Sequence, residues 1–313
     1  MKSVAVLMST YNGEKYLRQQ IDSILSQEDV AIQLYIRDDG SKDGTKAIIS
    51  EYTELYPNVT FINESRQDNK GVRDSFYEVL EFAYNRCTVE RYFAFADQDD
   101  VWKSKKMAAA IQKLCSMNGK NGNLYYSNKT FVDKNLQLIK EENITCYNDL
   151  MDLFWPSQAS GCTMVFDHKL ASFAIKYKPK SNCLHDSWIY RLSKCIGANI
   201  VFDENSYILY RQHESNVCGI ATTVLCHDNM YILRNFIKRL ISKREHKIQN
   251  IIDDLYQQAG NDFQEDAVAL AGLVSIYNKS IVSKYKLIKL KEQTKRPIKL
   301  RLIWKYKILL NMI

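Results

Sequence analysis

Residues 91–102 read RYFAFADQDDVW, a short apolar and aromatic run that ends abruptly in three aspartates. The run from Tyr92 to Ala96 has the composition of a buried parallel strand, and a helix-like segment follows the acids. Asp97, Asp99 and Asp100 are therefore predicted to lie at the C-terminal edge of an open α/β sheet, where ligands bind. Clustered carboxylates repel one another unless a cation lies among them, and their oxygens suit Mg²⁺ or Mn²⁺. We interpret this segment as a metal site that holds a diphosphate. The alternative is that the acids cap the following helix.

The order strand, turn, helix occurs four times in the first part of the chain. Leu17, Ile21, Ile24 and Leu25 recur at the spacing of one helix face, and similar patterns follow the later strands. Four such units predict an α/β fold with a mostly parallel, Rossmann-like sheet and helices on both faces. The predicted strands cover residues 3–8, 32–36, 59–62 and 92–96, and the later helices cover residues 43–55, 71–84 and 103–117.

The pattern changes after Leu124. A short predicted helix over residues 184–195 carries the sequence HDSW, which includes Asp186 and Trp188. The last predicted strand is followed by Arg211, Gln212 and His213. We expect this second half to supply groups on the acceptor side of a reaction. Its predicted strands cover residues 124–131, 162–166, 200–202 and 207–210, with a loop over residues 155–161.

Composition and charge limit the function classes. The chain has 313 residues, 46% of them hydrophobic, which suits one large domain plus an accessory region. The net charge of +7 is uneven, because residues 279–313 contain eleven Lys or Arg and one acid. This distribution argues against a nucleic-acid-binding face on the main domain and predicts an anionic partner for the tail. Eight cysteines without a C-x-x-C pair, no run of 18 apolar residues and no secretory signal predict a cytoplasmic protein.

The usual phosphate cradles are not recognisable. No G-x-G-x-x-G follows the first strand, and residues 40–46, GSKDGTK, have three residues between the glycines where a P-loop needs four. The second strand instead ends in Asp38 and Asp39. A carboxylate there can accept a hydrogen bond from a pyrimidine N–H, and Tyr11 can stack on a base. The alternative is that residues 38–41, DDGS, form a plain turn.

Seven motifs in order and spacing resemble the family 2 glycosyltransferases of GT-A fold, and among these the rhamnosyltransferases of bacterial surface-polysaccharide synthesis. The resemblance covers residues 3–219. The motifs are SxYN from Ser9, DDGSxDGT from Asp38, NxG from Asn69, ADQDDVW from Ala96, GCTMVF from Gly161, HDSW from His185 and YRQHxxN from Tyr210.

The resemblance implies roles for individual residues. Asp99 matches the direct metal ligand of the family's D-x-D motif, Asp97 the residue near the donor ribose or the metal's water shell, and His213 a residue that completes the metal coordination in some members. Asp186 matches the catalytic base. The nucleobase is held at the positions of Thr10, Tyr11 and Asp39, and Asn69 belongs to the same substrate-binding set. Trp102 and Trp188 either contact substrate or belong to the core. Gln98 is typical of the rhamnosyltransferase-like branch.

The implied chemistry is transfer of a sugar from a nucleotide donor with inversion. A divalent ion stabilises the leaving diphosphate, and one carboxylate, Asp186, deprotonates the acceptor hydroxyl. We expect dTDP-β-L-rhamnose as donor and a saccharide, lipid-linked acceptor. The alternatives are a UDP-hexose donor, or a non-catalytic sugar-nucleotide-binding scaffold. A nucleotidyltransferase also uses clustered acids but usually brings a Gly- and Lys/Arg-rich first loop, which Ser9 to Gly13 is not.

The tail is predicted to be a separate region. We place a glycosyltransferase domain over residues 1–220 and a helical, basic region over residues 221–313. Residues 284–313 alternate Lys or Arg with apolar residues, so this segment either lies on the anionic inner face of the cell membrane or packs back on the domain.

Overall fold

A computed structural model describes residues 1–86, 92–154, 157–214, 247–290 and 296–311. The predicted boundary between residues 220 and 221 lies outside the described residues. The same holds for Trp155 in the predicted loop, and for Asn216, which ends the YRQHxxN motif.

The first half of the chain forms the parallel part of one sheet, as predicted. Its strands lie in the order β3-β2-β1-β4, and each adjacent pair is parallel. Every residue of Tyr92–Ala96 is buried, as a strand covered on both faces requires. The elements are β1 (Lys2–Thr10), α1 (Leu17–Leu25), β2 (Val30–Asp38), α2 (Thr45–Leu55), β3 (Val59–Phe61), α3 (Gly71–Arg86), β4 (Tyr92–Ala96) and, after a two-residue strand, α4 (Lys106–Cys115).

The second half adds antiparallel strand pairs, which refines the predicted α/β sheet to a mixed one. The remaining strands are β5 (Val101–Trp102), β6 (Asn123–Val132), β7 (Leu138–Glu141), β8 (Val165–Asp167) and β9 (Asn199–Arg211). The order continues as β4-β8-β6-β9-β5. Strand β7 lies outside this order and pairs with β6 in the antiparallel direction. Strand β8 runs antiparallel to both β4 and β6, whereas β6 and β9 are parallel.

Two local predictions in this half are corrected. The strands predicted over residues 200–202 and 207–210 are one strand, β9, whose pairing with β6 shifts register near Asn128. The side chain of Asn128 donates to the carbonyl of Glu204 at 2.7 Å, so the irregular part stays attached to the sheet. Gly161–Thr163 is a short 3₁₀ turn rather than strand, and β8 begins at Val165.

Helices cover both faces of the sheet, as predicted. Side chains of β1 alternate, so that Ala5 and Leu7 join one buried cluster while Val4, Val6 and Met8 join the other. The second cluster contains the apolar faces of α1, α2 and α4. The first contains those of α3 and of two further helices, α5 (His168–Lys176) and α6 (His185–Ile196).

The described part of the C-terminal region, from Lys247 onward, is helical and packs on the same face as α6. Trp304 and Ile308 are buried in the first cluster, and the Trp304 ring lies 6.0 Å from that of Phe154. Arg296 forms an ion pair with the buried Asp152. This part of the tail therefore packs against the domain. The helices are α7 (Lys247–Gln258), α8 (Glu265–Ser275), α9 (Ile281–Leu290) and α10 (Ile298–Leu309). Among the described residues no helix is long and apolar enough to cross a bilayer.

Candidate active site

A cavity of about 660 Å³ lies at the edge where β1, β2 and β4 end, as expected for an open α/β sheet. Both halves of the chain contribute to its wall. The second half provides Ser160, Gly161, Asp186 and Tyr210. Of the site residues predicted from the sequence, the wall includes Thr10, Tyr11, Asp39, Asp97, Asp99 and Asp186.

The loop after β2 is more than a plain turn. Asp38 is fully buried, and its carboxylate accepts hydrogen bonds from the backbone N–H groups of Gly40 (3.1 Å) and Ser41 (2.8 Å). The hydroxyl of Thr10 donates to the same carboxylate at 3.1 Å. Thr10 lines the cavity, but its hydroxyl holds the end of β1 against this loop. Gly40 has φ +85°, which favours glycine.

Asp39 is held by a buried arginine that the sequence analysis did not identify. Its carboxylate accepts from Arg37 Nη1 at 2.5 Å and from the backbone N–H groups of Lys70 (2.7 Å) and Gly71 (2.9 Å). Asn69 donates from its side chain to the Asp39 carbonyl at 2.8 Å. Asn69 therefore acts on the site by positioning Asp39. An arginine immediately before two aspartates at a strand end is the sequence signal that could have identified this pair.

Tyr11 offers an accessible ring on a fixed backbone. Its side chain is 48% exposed and lines the cavity. Its N–H donates to Gln98 Oε1 at 2.8 Å, and its carbonyl accepts from Gln98 Nε2 at 3.0 Å. The next residue, Asn12, has φ +48°, and its N–H donates to Ser41 Oγ at 2.8 Å. An aromatic ring that stands free on a fixed turn is suited to stack on a planar ligand.

The Asp99 carboxylate after β4 contacts the imidazole of His213, whose role in metal coordination stays a prediction. His213 Nε2 lies 2.7 Å from Asp99 Oδ2. Burial, together with the negative charges of Asp99 and Asp186, raises the pKa of Asp97 to about 7. A divalent cation among these groups would offset that repulsion, and the donor set of carboxylate oxygens and one imidazole nitrogen suits Mg²⁺ or Mn²⁺. The residues present therefore fit a divalent metal.

Asp100 faces the interior of the protein. It is fully buried, and one of its oxygens accepts from the backbone N–H of Arg211 at 3.0 Å. Its ligand atoms, with those of Asp97 and Cys162, all lie within 4.8 Å of one another. Burial raises the pKa of the Cys162 thiol, so it stays protonated and is a poor ligand for a hard cation. We therefore favour Asp99 and His213 as the metal-binding set, with Asp97 near enough for the charge of Asp99 to act on it.

The alternative, that these acids cap the following helix, is not seen. Helix α4 begins at Lys106, and its N-cap residue is Lys105, with no hydrogen bond from a capping side chain. The acids precede the helix in the chain and are separated from it by the strand Val101–Trp102. They lie at the cavity or are buried beneath it. Their position is explained by the site and not by the helix end.

Asp186 lies in the first turn of α6 and lines the same cavity as the carboxylates after β4. Its two oxygens accept from the backbone N–H groups of Gly161 (3.0 Å) and Ser187 (2.5 Å). These bonds fix the carboxylate in one orientation. A fixed carboxylate in the wall of a cavity is suited to accept a proton from a hydroxyl.

The predicted substrate contacts of Trp102 and Trp188 are wrong. Trp188 is fully buried, and its indole N–H donates to the carbonyl of Tyr177 at 2.6 Å. Trp102 is 3% exposed, and Lys106 Nζ lies 3.3 Å from the centre of its ring. Both rings belong to the core, where a large apolar surface is most stable, so neither presents a surface to a substrate.

Lys129 is a cation in the cavity wall that the sequence analysis missed. Its Nζ donates to Ser160 Oγ at 2.7 Å and lies 3.6 Å from Glu142 Oε1. It occurs within the otherwise uncharged strand β6, which reads NLYYSNKTFV. A single lysine in such a strand was the available signal. Its charge partly compensates the acids of the wall.

The sequence and the fold are both similar to those of known proteins. The family model described as Glycosyl transferase family 2 matches residues 5–167. The dTDP-rhamnosyl transferase RfbG of Shigella flexneri is 31% identical over 265 residues, covering 79% of this chain and 85% of that protein. The UDP-Glc:alpha-D-GlcNAc-diphosphoundecaprenol beta-1,3-glucosyltransferase WfgD of Escherichia coli is 27% identical over 171 residues, covering 53% and 61%. The crystal structure of S. aureus TarS 1–349 in complex with UDP-GlcNAc has a TM-score of 0.54 at 15% identity, covering 95% and 93%, which is a likeness of fold.

Proposed function

The chain belongs to glycosyltransferase family 2, and from this premise we propose that it is a metal-dependent, inverting transferase that uses a nucleotide-sugar donor. One observation carries the proposal. A single cavity is lined by Tyr11 and Asp39, a platform that suits a nucleobase, by Asp99 of the metal-binding set, and by Asp186, whose carboxylate is held by two backbone N–H groups. These are the three groups that such a transfer needs.

The platform binds the base of the donor, and the metal-binding set holds the ion that stabilises its diphosphate. The ring of Tyr11 stacks on the base, and the carboxylate of Asp39 accepts from a base N–H. Asp99 and His213 would hold the divalent metal, and Asp97 would contact the donor ribose or the water shell of the metal. When bound, the metal neutralises charge that develops on the departing diphosphate. Lys129 adds a positive charge to the wall of the same cavity, near enough to act on Asp97.

Asp186 acts as the general base. Its orientation by Gly161 and Ser187 leaves the carboxylate facing the cavity, where it accepts the proton of the acceptor hydroxyl as that oxygen attacks the anomeric carbon. The acceptor enters from the face opposite the diphosphate, so a single displacement inverts the anomeric centre. With a β-linked donor the product is an α-linked sugar.

We favour dTDP-β-L-rhamnose as the donor, which makes the product an α-L-rhamnoside of a cell-surface polysaccharide. The similarity to RfbG, over most of both chains, supports this choice. The similarity to WfgD, a UDP-Glc-dependent transferase by its name, supports the alternative of a UDP-hexose donor over a shorter part of the chain. A non-catalytic scaffold that binds a sugar nucleotide is the third candidate.

A donor screen tests the proposal. Binding of a ligand to the native state raises the melting temperature by mass action, and it does so without knowledge of the acceptor. We expect dTDP-rhamnose with Mg²⁺ or Mn²⁺ to raise the melting temperature by several degrees, and chelation of the metal to remove most of that shift. A larger shift with UDP-glucose favours the alternative donor. No shift with any sugar nucleotide contradicts the proposal.

We also propose that the acceptor is lipid-linked and that the protein is cytoplasmic and peripheral on the inner face of the membrane. Helix α10 exposes Ile298, Leu302 and Tyr306, while Trp304 anchors it to the domain. Lysines lie between these apolar residues, a pattern that suits an anionic lipid surface.

Flotation with anionic liposomes tests the membrane proposal. Deleting the tail would expose the core around Trp304, so surface substitutions are the better probe. We expect the triple change Ile298→Ser, Leu302→Ser, Tyr306→Ser to lower recovery with liposomes severalfold. The exposed apolar residues Leu138 and Ile139 of β7 provide the matched control, Leu138→Ser with Ile139→Ser, which should float like the wild type. Equal recovery of all three proteins contradicts the proposal.

A further inference from the structure

Gln98 connects the two loops that form the donor side of the cavity. It is the middle residue of the D-x-D motif, between Asp97 and the candidate metal ligand Asp99. Its side-chain amide forms two hydrogen bonds with the backbone of Tyr11, one in each direction, at 2.8 Å and 3.0 Å. The two residues are 87 positions apart in the sequence. Because both ends of the amide are engaged by the backbone of one residue, its geometry fixes the distance and angle between the loops.

The Tyr11 loop is tied on its other side to the loop after β2. Asn12 N–H donates to Ser41 Oγ, and Lys42 N–H donates to Asn12 Oδ1 at 2.9 Å. Gly13 N–H donates to Thr45 Oγ1 at 2.8 Å. The backbone of residues 11–13 is therefore a bridge between the D-x-D loop and the loop that carries Asp39. The ring of Tyr11 is the exposed part of this bridge.

Gly13 shows how closely the bridge is packed. A Cβ atom at Gly13 would lie 2.3 Å from Gln98 Oε1 and 2.6 Å from Gln98 Cδ. The φ of Gly13 is outside the left-handed region, so its backbone conformation does not demand glycine. The requirement for glycine comes from the side chain of Gln98. An alanine at this position must displace that side chain and break its contact with Tyr11.

We propose that Gln98 is a positioning residue that couples metal binding at Asp99 to nucleobase binding at Tyr11 and Asp39. A cation that orders residues 97–99 also orders Gln98, and through its two hydrogen bonds the Tyr11 loop. By thermodynamic linkage, a bound base in turn raises the affinity for the metal. This inference rests on the proposed function, since it assumes a nucleotide donor and a metal at this site.

The test uses thymidine, which has no phosphate and cannot contact the metal directly. Its affinity is measured by ligand-observed NMR with saturating Mg²⁺ and again with chelator. We expect the wild type to bind thymidine at least about fivefold more tightly with Mg²⁺, the lower end of typical coupling between sites. In Gln98→Ala and in Gln98→Met, which keeps the length of the side chain, the ratio of the thymidine affinity with Mg²⁺ to that with chelator should fall towards one. Gln33→Ala is the matched control, because Gln33 also links two segments, by a hydrogen bond to Thr60 outside the cavity.

A double-mutant cycle with Gly13 sharpens the test. Gly13→Ala alone should abolish the Mg²⁺ dependence by displacing Gln98. Combining it with Gln98→Ala should cause no further loss, because both changes remove the same contact. Additive losses, or an unchanged ratio in the Gln98 variants, would overturn the inference. So would a wild-type ratio of one.

The outcome also separates this inference from the proposed function. If dTDP binds in a metal-dependent way while thymidine is insensitive to Mg²⁺, only the coupling through Gln98 is wrong. If dTDP itself shows no metal dependence, the proposed function fails first. Unfolding of the unliganded variants, followed by circular dichroism, should occur within a few degrees of the wild type, so a lost ratio cannot be assigned to misfolding.

Discussion

Asp186→Asn is expected to lower kcat by roughly 10²- to 10⁴-fold, the usual contribution of a general base. The amide cannot accept the proton of the acceptor hydroxyl, although it nearly preserves the shape of the side chain. Donor affinity should change little, because the tyrosine platform and the metal-binding set are untouched. The measurement is steady-state turnover of dTDP-rhamnose with a saccharide acceptor, together with the donor-induced shift in melting temperature.

A matched control separates the loss of a general base from the loss of a carboxylate in the first turn of a helix. Asp266 lies in the first turn of α8, and its carboxylate accepts from the N–H of the next residue, as that of Asp186 does. Asp266 is not part of the cavity wall. Asp266→Asn should retain wild-type turnover. Full activity in Asp186→Asn would show that another group takes the proton. A wild type that binds donor and never turns it over would favour the scaffold.

Asp99→Asn is expected to remove metal-dependent donor binding and to reduce kcat by at least about 10²-fold, the typical effect of losing one charge-stabilising group. An amide is a weaker ligand than a carboxylate, and the change also removes the negative charge that faces His213. The readout is the metal-dependent part of the donor-induced melting shift. It should fall to the value seen with chelator.

The control for Asp99 is another paired carboxylate. Asp262 forms an ion pair with Lys176 Nζ at 2.5 Å outside the cavity. Asp262→Asn should keep the metal-dependent shift and lose at most a small amount of stability, since exposed ion pairs contribute little. A normal metal dependence in Asp99→Asn would assign the metal to other residues. His213→Ala should weaken the shift without abolishing it, because the carboxylates remain.

The fold was largely predictable because its signals are local. The apolar run of β4 and the helical spacing in α1 are read within a few residues, and four repeats of strand and helix indicate an α/β sheet. The mixed second half was not predictable in the same way. The direction of β8 between β4 and β6 depends on the path of the chain between distant strands, and short apolar segments do not encode it.

The sequence analysis predicted several residues that the structure brings together, and their roles in the site stay predictions. Asp97, Asp99, Asp39 and Asp186 all line one cavity. The sequence analysis was wrong for Trp102 and Trp188, because a tryptophan beside a motif looks the same whether its ring points to the cavity or to the core. Burial depends on which helices cover the sheet, and that is a property of the assembled molecule.

The sequence by itself determined the kinds of chemical group present and the strand ends that carry them, because strands, turns and acidic motifs depend on neighbouring residues. Only the tertiary structure decided which groups cooperate. Gln98 and Tyr11 are 87 residues apart, and Asp39 meets the backbone of Lys70 and Gly71 across 31 and 32 residues. Such contacts exist only after the parallel strands align their C-terminal ends at one edge, which brings distant loops within hydrogen-bond distance.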